Sequence, residues 1–306
     1  MKTTYKITLV LSLMIICLIS LVTYQYKDQI YIYYRDNILK ERENLNLTGN
    51  EYTKDDTFLF VSNTDDFILK DKDQIKNVFY TIINSGVLEF TFYCDDAYIT
   101  CIEDVKELAN DKVLLSDINN YVHPYNSYTS YQVSYTLKGE ITLGMEKSYS
   151  KNNINELNKK ADSILKEITT DEMTKVEKIR AIHDYIIKNG KYAQDEYIEA
   201  NPQLEYNLAT GILLQGYGRC NSYSDAMAIF LDILKIPNYK IATETHVWNL
   251  VKIEDKWLHL DLTWDDDDLI NKNTVSILFF LIDNKRLWEL DKKYHNFNQD
   301  IYLEKK

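Results

Sequence analysis

Two alternating runs, residues 245–251 and 257–264, flank the polar dipeptide Glu254-Asp255 and constrain this chain more than any other feature. Alternation on both sides of a short polar turn predicts an antiparallel hairpin. With a two-residue loop, Ile253 pairs with Lys256, and counting outward sets Trp248 opposite Asp261 and His246 opposite Thr263. His246 and Asp261 are then diagonal neighbours on one face, roughly 7–8 Å apart at the backbone and within side-chain reach. A four-residue loop keeps this pairing, whereas a three-residue loop shifts the register by one and separates the two residues onto opposite faces. Along the second run Leu258, Leu260, Leu262 and Trp264 face one way, and Trp257, His259, Asp261 and Thr263 the other. One face reads as core and one as chemistry.

A thiol completes the set. Gly216-Tyr217-Gly218-Arg219 reads as a turn, and Cys220 follows it directly. Tyr223, Met227, Phe230 and Leu234 then recur with a helical period until Ile236-Pro237 ends the run. Ser222 and Asp225 have the spacing of an N-terminal capping pair. Cys220 is thus expected at a helix N-terminus, where free N–H groups and the macrodipole favour an anionic sulfur. Arg219 beside it adds positive charge. A lone cysteine is otherwise read as a small buried apolar residue. Here the glycines, the helix start and the downstream partners point to a nucleophile, Cys220, with His246 as base and Asp261 as orienting carboxylate.

Other residues compete for these roles. His259 is a rival base, but two positions from Asp261 on one strand it points parallel to that carboxylate rather than across at it. Asn249 is a rival orienting residue, yet it points away from His246. Trp248 shares the His246 face and either shelters the imidazole or simply packs the hairpin. His183, set among Val176, Ile179, Ile182 and Ile186, reads as a helix-packing residue. The run Asp265 to Asp268 lacks the alternating ligands and closing glutamate of a calcium loop and reads as a solvated loop. The cysteines and histidines have no zinc spacing, so neither metal nor other cofactor is expected.

Gly218-Arg219-Cys220 ahead of an amphipathic helix, then His246-Val247-Trp248-Asn249-Leu250-Val251, then the stretch from Trp257 to Asp266, resemble the bacterial transglutaminase-like superfamily. The likeness runs over residues 173–268 and takes in the preceding helix, with a weaker echo over 278–283. It implies an α+β, papain-like core in which the cysteine helix packs on an antiparallel sheet. It also implies a thioester formed on an amide and passed to an amine or to water. By this resemblance Cys220 is the nucleophile, His246 the general base and acid, and Asp261 the orienting carboxylate. The chain departs from the common pattern at Asn221-Ser222, which replace a small residue and a glycine. The Cys220 backbone N–H is the default oxyanion donor, with Gln215 a more remote candidate.

Ahead of this region the chain changes character. Residues 7–24 form an uncharged, largely apolar run after Lys2 and Lys6. About 18 residues at 1.5 Å rise just cross a hydrocarbon core. No Ala-x-Ala-like cleavage site follows, and Ile16 stands where lipid attachment at Cys17 needs a small residue. The reading is an uncleaved signal anchor over residues 1–24, single-pass in the cell membrane, with the bulk of the chain extracytoplasmic. A linker over 25–56 follows, its tyrosine-rich start at the membrane interface. A net charge of −12 without basic clusters excludes nucleic acid as a partner.

Residues 57–150 read as a small α+β domain, with strands over 58–61 and 88–93, a helix over 74–84 and helical signals over 105–121. A hairpin over 128–137 and 140–149 turns at Lys138-Gly139. Its tyrosines, Tyr121, Tyr125, Tyr128 and Tyr131, are explained more simply by strand packing than by a binding surface. Cys94 and Cys101 either pair, as an oxidising compartment favours, or remain thiols; the sequence leaves both open. A helix over 154–168 opens the transglutaminase-like catalytic domain, residues 151–306. The expected protein is an extracytoplasmic thiol enzyme acting on peptide or protein amides, with wall peptides or surface proteins as the substrates that compartment offers. The alternative is a catalytically inactive module that keeps the fold to bind peptides or proteins.

Overall fold

A computed structural model describes residues 2–34, 45–136, 139–266 and 275–303, with side chains from residue 13 onward. Its contacts divide the chain into two units, Met1–Asn46 and Leu47–Lys306.

The first unit carries helices α1 (Lys2–Gln25) and α2 (Lys27–Tyr34). Leu13, Ile16, Leu18 and Leu21 on α1 are all more than half exposed. Among the described residues no helix is long and apolar enough to cross a membrane. The side chains of 1–12, the first half of the expected anchor, lie outside the described residues, as does the stretch 35–44 of the expected linker.

In the second unit residues 47–56, read from the sequence as linker, are fastened down. Lys54 is buried, donates to Asn238 O at 2.9 Å and pairs with Asp232 at 3.2 Å. Residues 58–61, expected as a strand, form no ladder; Phe58 and Val61 instead bury their side chains singly, Phe58 against the rings of Tyr121 and Tyr239. Strand β1 (Ile68–Leu69) leads to α3 (Lys72–Ser85), started by Asp71, whose side chain accepts from Gln74 N–H. Gly86 ends this helix in the left-handed region (φ 76°), as a side chain would resist. Strand β2 (Glu89–Cys94) follows, then α4 (Cys101–Asn110) and α5 (Lys112–Asn119), which part at Asp111 because its side chain caps α5. Cys94 and Cys101 are joined by a disulfide, with 5.9 Å between their Cα atoms. The expected hairpin forms as β3 (Tyr128–Tyr135) and β4 (Glu140–Lys147), although Leu137 and Lys138 lie outside the described residues. The sheet runs β1-β2-β4-β3, parallel at β1–β2 and antiparallel elsewhere.

Two capping boxes start the next helices, Ser150 with Asn153 for α6 (Lys151–Ile168) and Thr174 with Glu177 for α7 (Lys175–Asn189). A short helix α8 (Asp195–Ala200) and a π-turn over Gly211–Gln215 lead to α9 (Cys220–Ile233). Strands β5 (Asn238–Ala242), β6 (Val247–Ile253), β7 (Lys256–Leu260) and β8 (Phe280–Ile282) make an antiparallel sheet in that order. A one-turn helix α10 (Leu262–Asp265) separates β7 from β8, and α11 (Asn284–Asp291) and α12 (Gln299–Tyr302) follow. Tyr223, Met227 and Phe230 of α9 share one core with Ile179, Ile182 and Ile186 of α7 and with Val251 and Leu260 of the sheet. The apolar stripe read from the sequence therefore buries α9 between a helix and a sheet, each large side chain contributing about 1.5–3 kcal/mol. Asn249 Nδ2 donates to Ser224 O at 3.0 Å and ties β6 to this helix.

Candidate active site

Cys220 is the first residue of α9, and its N–H has no partner within the helix. The approach is held by a parallel bridge, with Gly218 N–H donating to Lys191 O at 3.1 Å and Ala193 N–H to Gly218 O at 2.9 Å. This pairs Tyr192 with the turn just ahead of Cys220, and burial pushes its phenol up. Gly218 has to be glycine, because a Cβ there would lie 2.4 Å from Ser222 Oγ. The expected Ser222–Asp225 capping pair does not form. Ser222 Oγ instead donates to Leu208 O at 2.6 Å and accepts from Ile212 N–H at 3.1 Å, fixing the preceding loop. Asp225 is buried against Lys240 at 2.6 Å and accepts from Tyr149 OH at 2.7 Å. Burial makes both side chains satisfy distant partners rather than the helix end. Arg219, expected to lend its charge to the sulfur, is engaged by Asp195 and stacks over Tyr206.

The hairpin keeps the expected register, Ile253 opposite Lys256 out to Asn249 opposite Leu260. Glu254, at φ 55°, makes the two-residue turn. The second run was expected as strand to Trp264, but β7 stops at Leu260. Asp261 Oδ1 accepts from the N–H groups of Thr263 at 3.0 Å and Trp264 at 3.2 Å and turns the chain into α10. An aspartate offers the backbone this local alternative to a ladder. His246 stands one residue before β6, its N–H donating to Thr243 Oγ1 at 3.2 Å and its carbonyl accepting from Thr243 N–H at 2.8 Å.

His246 Nε2 faces Asp261 Oδ2 at 2.5 Å, both residues buried, which leaves Nδ1 as the ring nitrogen not engaged by that carboxylate. Burial opposes a charged ring, but the Asp261 carboxylate, with a further contribution from hydrogen bonding and charge at Cys220, pushes His246 up to about 10. Burial likewise works against Asp261, but the two imidazoles beside it hold the carboxyl far below the usual range. Trp248 stacks on the His246 ring at 5.5 Å and 15° and is itself almost wholly buried, so it packs the hairpin core and lies against the imidazole at once. Thr245, Thr263, Trp264, Asp266, Tyr192 and Tyr294 surround His246 in a cleft of about 450 Å³.

The second of those imidazoles, His295, went unread in the sequence. Its Nε2 lies 3.0 Å from Asp261 Oδ2 and its Nδ1 3.0 Å from Asp291 Oδ2, in a fully buried ring. It follows a stretch with no turn-and-strand pattern to place it, so only its single carboxylate neighbour four residues back offered a signal. His246, Asp261 and His295 together offer three ligand atoms within 4.8 Å of one another. Around a tetrahedral ion such atoms lie roughly 3.4 Å apart. The 2.5 and 3.0 Å spacings onto one oxygen are those of hydrogen bonds.

The other sequence candidates fall elsewhere. His259 Nδ1 accepts from Trp248 Nε1–H at 3.0 Å and Nε2 meets Asn284, while burial lowers its pKa to about 4. It is a neutral support beneath Trp248. His183 is buried as expected, but it is also bonded at both nitrogens, to Asp184 at 2.9 Å and Asp265 at 3.2 Å. Asp265 is correspondingly no solvated residue: it is buried and also accepts from Ser276 Oγ at 2.9 Å and Phe279 N–H at 3.1 Å. Asp266 accepts from Tyr223 OH, and Asp267 and Asp268 lie outside the described residues. Gln215 accepts from Glu205 N–H at 2.9 Å and donates to Gln203 O at 3.3 Å, so it is spent on its own loop. Of the tyrosines, Tyr121 and Tyr125 are core, whereas Tyr128 and Tyr131 line a separate groove of about 700 Å³. Their hydroxyls donate to Leu115 O at 2.9 Å and Ala109 O at 2.7 Å.

Residues 162–262 match the Transglutaminase-like superfamily, a span that includes Cys220, His246 and Asp261 and stops short of His295. No curated protein matches the chain. Among solved structures, a TGase is 11% identical with a TM-score of 0.34, over 45% of this chain and 44% of its own. A proposed cysteine protease from Cytophaga hutchinsonii is 15% identical with a TM-score of 0.28, over 48% of this chain and 64% of its own. The matched part spans less than two thirds of either protein.

Proposed function

We propose that the transglutaminase-like domain is a thiol enzyme that cleaves peptide or protein amides through a thioester on Cys220. The sulfur attacks the amide carbon as His246 takes its proton. Collapse of the tetrahedral intermediate breaks the C–N bond, and His246 returns the proton to the departing amine. Water or an amine then attacks the thioester, giving hydrolysis or transfer, and releases the thiol. Asp261 holds the imidazole so that Nδ1 serves the sulfur. One observation carries this reading: a buried imidazole bonded to a carboxylate at 2.5 Å, in a domain whose cysteine opens a helix. Asn221 is exposed and Ser222 points back into the preceding loop, so the second of the two departing positions anchors the turn ahead of Cys220.

The proposal places this chemistry outside the cytoplasm, on a single-pass anchor formed by residues 1–24. The apolar run after Lys2 and Lys6 supports that arrangement, and the Cys94–Cys101 disulfide suits an oxidising compartment. Wall peptides and surface proteins are the substrates within reach there. The deciding experiment incubates the detergent-solubilised full chain with a glutamine-rich protein and a labelled amine. Incorporation or new termini, lost in Cys220→Ser, support the reading. An iodoacetamide-inert Cys220 and no product would sink it in favour of a binding module.

A further inference from the structure

Asp261 has no spare acceptor capacity on Oδ1, which takes two backbone N–H groups. Its Oδ2 is left to two imidazoles, His246 at 2.5 Å and His295 at 3.0 Å. His295 is not free to turn away. Its carbonyl accepts from Trp288 Nε1–H at 3.3 Å and Phe297 N–H at 3.0 Å, and its ring stacks on Phe279 at 5.2 Å. Behind it, Asp291 of α11 faces Nδ1 at 3.0 Å. A neutral imidazole has one N–H, so both carboxylate contacts are hydrogen bonds only when the ring carries two protons. The ionisable groups around it are therefore Asp291, Asp261, His246, the adjoining Tyr294, and His259 on the far side of Trp248.

We propose that His295 is a positioning residue of the site, a second imidazole that shares Asp261 Oδ2 with His246, locks the carboxylate and limits how tightly it holds the His246 proton. This rests on the thiol-enzyme reading above and extends it to a residue outside the matched superfamily span. Two N–H donors on one oxygen divide its charge between them. Without His295, Asp261 would act on His246 alone, and the imidazolium would release its proton to the departing amine less readily.

The test is an NMR titration of the His246 imidazole in the full chain, in wild type, His295→Phe and His295→Gln. Phe keeps an aromatic ring in the Phe279 stack and removes both ring nitrogens; Gln keeps an N–H donor without a titratable ring. The expected result is an upward displacement of the His246 titration by about one pH unit in His295→Phe, with His295→Gln lying between. A His246 titration that stays in place or moves down, whatever the melting temperature does, overturns the proposal. Iodoacetamide alkylation of Cys220 is followed in parallel. An inert thiol with a displaced titration counts against the enzymatic reading and for the shared carboxylate. A reactive thiol with an unmoved titration does the reverse.

Discussion

His246 reaches Asp261 at 2.5 Å by way of the Glu254 turn, the carboxylate lying one residue beyond the end of β7 and the imidazole one residue before β6. Neither residue is inside a strand, so each is aimed by its own local bonds. The contact orients the ring and also stabilises its charge, and these two effects respond differently to substitution. Asp261→Asn keeps an oxygen but removes the charge, and its amide can present N–H to Nε2, stabilising the wrong tautomer. The expected loss of kcat is about 10³–10⁴-fold, with little change in KM, measured by release of the amine. Cys220→Ala should abolish turnover while leaving the melting temperature near that of wild type.

The same pair links stability to pH. His246 is raised to about 10, so its contribution is full below its unfolded value near 6.5 and is lost as pH rises toward 10. Asp261 is lowered, so its contribution is full above its unfolded value of 3.8 and is lost in acid as the pH falls through its folded value. The pair therefore stabilises most between about pH 4 and 6.5. Thermal melts of wild type and His246→Gln across pH 3 to 10 should show the largest difference within that window, shrinking on both sides. A constant difference would mean that His246 contributes packing alone.

How much of this was legible follows from what kind of force places each residue. Periodicity and the two-residue turn fix the hairpin register, and by themselves they put His246 and Asp261 within reach of each other. The start of α9 at Cys220 is equally readable, because glycines and an apolar stripe are local signals. Partners chosen by burial are not local. Ser222 and Asp225 look like a cap in sequence, yet in a closed interior they serve Leu208, Ile212, Lys240 and Tyr149. Asp265 looks solvated in a run of four acids, yet it is drawn in by His183 from a helix about eighty residues earlier. His295 reaches the site only because α11 folds back, which no spacing rule encodes.

The Asp225–Lys240 pair, at 2.6 Å and almost wholly buried, joins α9 to β5. Among the described residues, Lys240→Met leaves the Asp225 carboxylate with Tyr149 as its side-chain partner in a desolvated setting. A loss of about 3–5 kcal/mol is expected, read as a lower urea midpoint. The double variant Asp225→Leu with Lys240→Met removes both charges and should recover most of that loss. Equal losses in the single and double variants would show that shape rather than charge governs this contact.

Gly218 tests whether the turn itself aims the nucleophile. A Cβ at this position would lie 2.4 Å from Ser222 Oγ and 2.5 Å from Ser222 Cβ, and the hydroxyl cannot swing aside without breaking its bonds to Leu208 and Ile212. Gly218→Ala should therefore push the 216–218 segment away from its bridge to Tyr192 and carry the first turn of α9 with it. The expected outcome is a destabilisation of about 1–3 kcal/mol together with slower alkylation of Cys220. Gly218→Ala with Ser222→Gly opens the space that the methyl needs, at the cost of the two loop bonds. Alkylation should then return toward the wild-type rate while the melting temperature stays low, because the aim of the sulfur is restored and the loop anchoring is not. Recovery of stability without recovery of reactivity would place the origin of the aim elsewhere than in this turn.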